Sequence, residues 1–225
     1  MVEVARRSTF TRAQEDYLKA LYHLHGDARP VPTRELAQRL GISSPSVSEM
    51  VTRLTAQGLV EHDRYRGQQL TRDGRKVALE LVRHHRLLEM FLVRVLGYSW
   101  DEVHEEAERL EHVISERMEQ RIFELLGRPE LDPHGHAIPS RTGKVRAPSE
   151  RALSECHAGE KLVVQGVSDD DPARLRELER RGLLPGTHIE VVAASEYEGP
   201  IELRIKGKRV GVPLGLARAM FVERR

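Results

Sequence analysis

The 225-residue sequence contains a single cysteine, Cys156. One cysteine excludes an internal disulfide and any cysteine-rich zinc or iron–sulfur site. No run approaches the roughly 20 apolar residues that cross a bilayer, and residues 1–17 contain no apolar core of signal-peptide length. We therefore expect a soluble cytoplasmic protein with no membrane partner.

Familiar catalytic signatures are also missing from the sequence. It has no nucleophile elbow, P-loop, HExxH motif or glycine-rich dinucleotide loop. We therefore predict that the protein is not an enzyme and has no small organic substrate, although His and carboxylate residues also build metal hydrolases. There is no internal repeat, and the length suffices for two or three small domains.

The near-zero net charge of +1 hides an uneven distribution of charge. Residues 1–75 have 12 basic and nine acidic side chains, whereas residues 76–140 have eight basic and 13 acidic ones together with six of the eleven histidines. Residues 141–225 are mildly basic again, with 16 against 13. This distribution favours a DNA-binding module, a cation-binding module and a tail domain.

The order of elements in residues 1–75 is typical of a winged helix-turn-helix. Apolar periodicity predicts helices over residues 11–25 and 33–40. A third helix follows, with Ser44 as its N-cap and Pro45 at the first helical position. A β-hairpin over residues 60–70 then forms the wing. We expect residues 1–75 to be the DNA-binding domain.

In such a domain, the start of the second helix of the turn pair meets base edges in the major groove. Serine hydroxyls can bond bases or phosphates, Glu49 can accept from a cytosine amino group, and arginines at the hairpin tip suit phosphates or the minor groove. The predicted DNA-binding residues are Ser43, Ser44, Pro45, Ser46, Ser48, Glu49, Arg53, Arg64 and Arg66. Helix capping explains any single serine equally well, and some winged helices bind proteins instead.

A dense set of histidines and carboxylates lies between His85 and His112. One predicted helix, from Thr71 to Gly97, carries His85 and Glu89 four residues apart. A second predicted helix, over about 100–126, places four further groups within a roughly 100° arc of one face. These four are His104, Glu108, Glu111 and His112. Imidazole nitrogens and carboxylate oxygens suit borderline divalent ions, while a solvated acidic helix is the alternative.

The remaining sequence predicts a linker and a small β-rich domain. Short strands are expected at residues 161–167, 187–193, 201–205 and 220–222, with a helix near 172–181. We predict an α+β, mainly α fold in four parts. These are the winged helix-turn-helix (1–75), a helical metal-binding and dimerisation domain (76–141), a linker (142–152) and an SH3-like β-barrel (153–225).

Several segments, in order, resemble one family. They are "EDYLKALYHL", "SSPSVSEMVTRLTAQGLV", "HHRLLEMFL", "VHEEAERLEHVISE" and "PHGHAIP". They look like the diphtheria-toxin-repressor and manganese-transport-regulator family of metal-dependent repressors. The likeness covers residues 10–140, and the tail from about residue 150 resembles the SH3-like, FeoA-like domain of the longer members.

The resemblance implies two metal sites per subunit. The primary site would use Asp16, Glu108, Glu111 and His112, and the ancillary site would use His85, Glu89 and His104. In longer members the tail adds ligands to the ancillary site. The nearest match here is Asp171, while the second tail ligand would fall on Arg174, which cannot coordinate.

Two positions bear on the choice of metal. The iron-type branch has Met and Cys where this sequence has Asp16 and Glu108, and hard oxygen donors favour Mn²⁺ over softer ions. The manganese branch has another acidic ligand three residues after the Asp, where this sequence has Lys19. The sequence therefore favours Mn²⁺, with Fe²⁺ as the alternative.

The resemblance further implies a homodimer that binds a palindromic DNA operator with the metal as co-repressor. The residue patterns, taken without the resemblance, also allow other functions. A winged helix also suits a regulator controlled by an organic ligand, or one whose DNA binding is independent of metal. His134 and His136 can also contact metal, but histidines in a Pro/Gly loop more often form local hydrogen bonds.

Overall fold

The computed structural model describes residues 10–147, 149, 151–168, 171–194 and 199–224. The first nine residues of the predicted DNA-binding domain and two linker positions, 148 and 150, lie outside the described residues. Within the described ranges, no helix is long and apolar enough to cross a membrane. The chain forms two compact units. Unit 1 comprises Met1–His85, Leu110–Arg121 and Pro139–Lys144, and unit 2 comprises Arg86–Arg109, Ile122–Ile138 and Val145–Arg225.

Unit 1 contains the predicted winged helix-turn-helix. Its elements are α1 (Arg12–His23), α2 (Thr33–Leu40), α3 (Ser44–Ala56), β1 (Val60–Asp63) and β2 (Gly67–Leu70). Thr11 begins α1 with a capping box, in which its side chain accepts from the Gln14 backbone and the Gln14 side chain accepts from the Thr11 backbone. The fully buried Leu18, Leu21 and Leu36 join the three helices in one core.

The start of α3 differs from the sequence prediction by one residue. Ser43 is the N-cap and accepts a hydrogen bond from the Ser46 backbone, so Ser44 and Pro45 occupy the first two helical positions. Both serines suit a cap by residue type. The choice falls on Ser43 because its backbone is extended (φ −73°, ψ 148°), whereas Ser44 is already helical.

Three further helices follow: α4 (Arg72–Arg94), α5 (Val103–Leu110) and α6 (Glu116–Leu125). The predicted single helix over about 100–126 is wrong, because residues 111–113 form a turn and residues 114–115 are not helical. Ser115 restarts the helix, since its hydroxyl accepts from the Met118 backbone. Glu111 and His112 therefore lie just beyond α5 and do not continue its helical face.

Unit 2 contains an antiparallel sheet in the order β6-β5-β4-β3-β7. Its elements are β3 (Lys161–Val167), α7 (Pro172–Arg180), β4 (His188–Ala193), β5 (Ile201–Ile205), β6 (Lys208–Val212), α8 (Leu214–Ala217) and β7 (Met220–Arg224). Sequence periodicity missed β6 and α8. Among the described pairings, β6 and β7 are sheet edges that do not pair with each other, so the predicted barrel is an open SH3-like sheet. Leu162, Val164 and Leu203 are buried in its core.

Candidate metal centre

Three side chains of unit 1 converge into a set with the chemistry of a divalent cation site. Asp16 comes from α1, and Glu111 and His112 come from the turn after α5. One ligand atom from each lies within 4.8 Å of the other two. Two carboxylate oxygens and one imidazole nitrogen are ligands that first-row divalent ions accept. The residues therefore fit a metal ion, and we call this set the primary cluster.

The position of Asp16 follows from the amphipathic pattern of α1. Tyr17, Leu18 and Leu21 are buried in the unit 1 core, which fixes the rotation of the helix about its axis. Asp16 is partly exposed on that helix, and its Oδ1 lies 3.0 Å from Nε2 of His112. The packing that builds the predicted DNA-binding domain thus also places the acidic side chain of Asp16 in the cluster.

Glu15 holds the His112 ring in place, and the sequence analysis did not identify it. Its Oε2 is 2.6 Å from Nδ1 of His112, and the residue is 5% exposed. A carboxylate at Nδ1 accepts the ring proton there and leaves Nε2 to face Asp16 and Glu111. The adjacent acids in "QEDYL" were the available signal. Only the fold shows which of the two faces each ring nitrogen.

His112 binds a proton strongly when no metal is bound. Burial lowers its pKa, but the carboxylates of Asp16 and Glu15, with a further contribution from Glu111, outweigh burial and raise the pKa from 6.5 to about 9. The imidazolium is then the cation that balances these carboxylates at neutral pH. A divalent ion that binds Nε2 must replace this proton.

Lys19 and His85 occupy the other side of Glu111. Nζ of Lys19 lies 2.9 Å and 2.8 Å from the two Glu111 oxygens and 3.2 Å from Nδ1 of His85. Nδ1 of His85 lies 2.6 Å from Oε2 of Glu111. Glu111 is fully buried, and Lys19 is 7% exposed. His85, a predicted ancillary ligand, is thus in direct contact with Glu111, a predicted primary ligand.

The other predicted ligands lie in unit 2. Nδ1 of His104 is 3.4 Å from Oε1 of Glu89, and its Nε2 is 3.8 Å from Oε1 of Glu108. Glu89 is fully buried, and its Oε2 is 3.7 Å from Nδ1 of His134. Glu89, His104 and Glu108 therefore form a connected set within unit 2, and their role as metal ligands stays a prediction.

Asp171 has a structural role that the sequence analysis did not assign. Its carboxylate caps α7 and accepts hydrogen bonds from the backbones of Ala173 (2.9 Å) and Arg174 (3.2 Å). The Arg174 guanidinium lies 3.9 Å from the same carboxylate. An Asp before Pro172 and a helical stretch is a cap signal by itself, so the cap explains this residue type without a metal.

His134 and His136 lie in a loop with Asp132. Nε2 of His134 is 2.8 Å from the backbone oxygen of Trp100, and Nδ1 of His136 is 3.2 Å from Oδ2 of Asp132. Oδ1 of Asp132 accepts from both histidine backbones. These local hydrogen bonds agree with the reading that such loop histidines satisfy their polar groups nearby, even though the three side chains also lie close enough to hold an ion.

The predicted DNA-binding residues occupy the exposed start of α3 and the tip of the hairpin. Ser43, Ser44, Pro45, Ser46, Ser48, Glu49, Arg53, Arg64 and Arg66 are exposed or partly exposed. Glu49 and Arg53 form an ion pair whose side chains are more than 60% exposed, so separating them on DNA costs little. Their exposure leaves these side chains accessible to a DNA duplex.

The hairpin tip is held by Asp63. Its Oδ1 accepts from the backbones of Tyr65 and Arg66, and these bonds lower the pKa of the Asp63 carboxyl. The turn exposes 91% of Tyr65 between the two predicted arginines. An aromatic ring at this tip is a further candidate for nucleic-acid contact that the sequence analysis missed.

Family models match nearly the whole chain. The N-terminal DNA-binding domain of the iron-dependent repressors matches residues 9–68, and their metal-binding and dimerisation domain matches residues 71–140. A FeoA domain matches residues 151–224. The iron-dependent repressor IdeR of Mycobacterium leprae is 33% identical over 223 residues, covering 93% of this chain and 96% of that protein. The chain belongs to the iron-dependent, diphtheria-toxin-repressor family.

Solved structures of related repressors agree with this assignment. A manganese-dependent transcriptional repressor in complex with manganese is 41% identical and has a TM-score of 0.85, covering 94% of this chain and all of that one. ScaR with bound Zn²⁺ is 34% identical with a TM-score of 0.78, covering 94% and 99%. Membership confirms the predicted fold and a metal-dependent DNA-binding repressor function, and it confirms that the protein is not an enzyme.

Proposed function

We propose that this iron-dependent-family repressor is a cytoplasmic homodimer that binds a palindromic operator when Mn²⁺ occupies the primary cluster, with Fe²⁺ as the alternative ion. The observation that carries the proposal is the convergence of Asp16, from the first helix of the DNA-reading domain, with Glu111 and His112. A site that includes a residue of the DNA reader connects ion binding to the position of that reader.

The choice of Mn²⁺ is supported by the donor atoms. Asp16 and Glu111 present hard carboxylate oxygens, and His112 is the sole nitrogen donor of the cluster. The sequence-based prediction adds Glu108, again an oxygen donor, which belongs to unit 2. A site built from oxygen and nitrogen donors suits Mn²⁺ better than a site that contains sulfur donors. The similarity to a repressor in complex with manganese agrees with this choice, while ScaR with bound Zn²⁺ shows that ion selectivity needs a direct test.

The residues of unit 1 suggest how the ion acts. Without metal, the protonated His112 lies against Glu15, Asp16 and Glu111, and the ammonium of Lys19 pairs with Glu111. A bound divalent ion supplies two positive charges in place of that proton. Asp16 and His112 then hold α1 to the turn at residues 111–115 through one centre, which fixes the recognition helix α3 in the same core. By linkage, operator DNA tightens ion binding by the same factor.

We further propose the division into domains at residues 1–75, 76–141 and 153–225, with a linker at 142–152. A second ion would be held by Glu89 and His104, with Asp171 as a candidate tail ligand. His85 was predicted to join them, but its 2.6 Å contact with Glu111 connects it to the primary cluster as well.

Operator binding measured with and without metal tests the proposed function. A duplex selected from a random pool in the presence of Mn²⁺ is titrated in Mn²⁺ and in EDTA, with fluorescence anisotropy as the readout. We expect metal to tighten wild-type binding by at least tenfold and His112→Ala to abolish this gain. His188→Ala, which removes an exposed histidine of β4, is the matched control. Equal affinity with and without metal would contradict the proposal and favour a metal-independent regulator.

A further inference from the structure

The surroundings of Lys19 differ from those of an ordinary buried lysine. Its ammonium contacts both oxygens of Glu111 and lies beside Nδ1 of His85, so three atoms of the types that ligate metals lie within 3.2 Å of Nζ. Burying an ammonium is costly unless its partners compensate for the lost water. The side chain therefore occupies a position that is shaped for a cation.

Counting the charged groups of unit 1 shows what this ammonium does to the cluster. Within unit 1, Glu15, Asp16 and Glu111 contribute three negative charges around His112. Lys19 balances one of them, and a single divalent ion that replaces the His112 proton balances the other two. Arg12 approaches Asp16 only at 4.0 Å with a side chain that is 59% exposed, so water screens its charge.

We propose that Lys19 is a resident cation that takes the place of a second divalent ion and restricts the primary cluster to one. The proposal rests on the proposed function, because it assumes that Asp16, Glu111 and His112 hold an ion. It lets Glu111 serve two cations. The divalent ion would lie on the side of His112, whose Nε2 is 3.5 Å from Oε1. Lys19 bonds both Glu111 oxygens, and His85 lies beside Oε2.

Two consequences follow from a fixed positive charge beside the ion. First, replacing Lys19 by an acid raises the number of carboxylates in this unit 1 cluster from three to four, and two divalent ions neutralise four negative charges. The new carboxylate, Glu111 and His85 would then form the second site. Second, a neutral side chain at this position removes repulsion of the first ion and leaves Glu111 short of one counter-charge. Both effects strengthen binding of the first ion.

The test counts ions in the full-length protein. Wild type, Lys19→Glu and Lys19→Arg are dialysed against excess Mn²⁺. The number of Mn²⁺ ions per chain is then measured by elemental mass spectrometry of the digested protein. We expect Lys19→Glu to bind one more ion per chain than wild type and Lys19→Arg to match wild type. Lys76→Glu, which reverses an exposed charge paired with Asp73, is the matched control and leaves the number unchanged.

Electron paramagnetic resonance locates the added ion. Two Mn²⁺ ions that share the Glu111 carboxylate couple magnetically, so Lys19→Glu gives a coupled-pair spectrum and wild type does not. A folded Lys19→Glu protein with the wild-type metal content and spectrum would overturn the inference and leave the proposed function intact. Wild-type protein that binds no Mn²⁺ would overturn both.

Lys19→Met keeps the test decisive if the acidic variant does not fold. Its side chain fills a similar volume without the charge. We expect its Mn²⁺ dissociation constant to fall by at least tenfold, and its melting temperature in EDTA to fall below that of wild type and to recover when Mn²⁺ is added. An unchanged dissociation constant together with unchanged melting in EDTA would also overturn the inference.

Discussion

Ion binding at the primary cluster must compete with a proton on His112. With a pKa of about 9, about one imidazole in 100 is neutral at pH 7, because two pH units separate the pKa from the solution. Removing the proton at pH 7 costs a free energy of about 3 kcal/mol. The binding free energy of the ion must offset this cost. We therefore expect the apparent affinity for Mn²⁺ to rise about tenfold per pH unit between pH 7 and pH 8.

Isothermal titration calorimetry in buffers with different ionisation enthalpies counts the released protons. We expect about one proton per ion from this group at pH 7. Glu15→Gln keeps an acceptor for Nδ1 but removes a charge that raises the pKa of His112, so it should release fewer protons. Glu61→Gln, an exposed change on β1, is the control. Release of no proton at pH 7 would refute the reasoning.

The same pKa shift has a defined sign in the metal-free protein. Because the folded-state pKa of His112 lies above the ordinary 6.5, its stabilising contribution is fully present below pH 6.5 and is lost as the pH rises through about 9. In EDTA, the difference in unfolding free energy between wild type and His112→Gln should therefore shrink over this interval. A difference that stays constant with pH would show that His112 is not protonated in the folded protein.

Three further changes separate the remaining assignments. Glu108→Cys should shift activation of operator binding towards Fe²⁺ or softer ions, since sulfur replaces a hard oxygen; an identical ion profile would remove Glu108 from the ligands. Arg64→Ala should weaken binding to all DNA sequences and reduce the salt slope by about one; an unchanged slope would place this arginine off the phosphates. Asp171→Ala should lower the free energy of unfolding by about 1 kcal/mol, because the α7 cap is lost. Asp171→Ser retains a cap without a carboxylate. Loss of a bound ion in Asp171→Ser, measured by metal content, would show that Asp171 is also a ligand.

Local sequence pattern was sufficient to predict a helix or strand wherever its apolar periodicity and turn residues were clear. The apolar stripe of α1, the short helix over Thr33–Leu40 and the hairpin at Val60–Leu70 lie where periodicity and turn residues predicted them. Strand β3 has its predicted bounds because buried and exposed residues alternate along most of it. Edge strand β6 was missed because only one of its five residues is fully buried, so its sequence lacks that alternation.

The helix boundary near Glu111 shows where local pattern failed. The charged sequence over about 100–126 predicts one helix, because Glu, Arg, Leu and Met all have good helix propensity. In the fold, the chain turns after Leu110, and Ser115 caps a new helix. Glu111 and His112 are thereby released from helical spacing and can approach α1. Glu111 and His112 do lie together with Asp16, but their position does not come from spacing along one helix face.

The sequence by itself determined the residue types of the site, the helices that carry most of them and the resemblance that named their family. Tertiary structure alone decided their partners: Glu15 on one ring nitrogen of His112, Asp16 by the other, and Lys19 at both carboxylate oxygens of Glu111. The physical reason is distance. Each of these interactions joins α1 to a turn more than 90 residues later in the chain, and electrostatic energy depends on separation in space, which no local periodicity records.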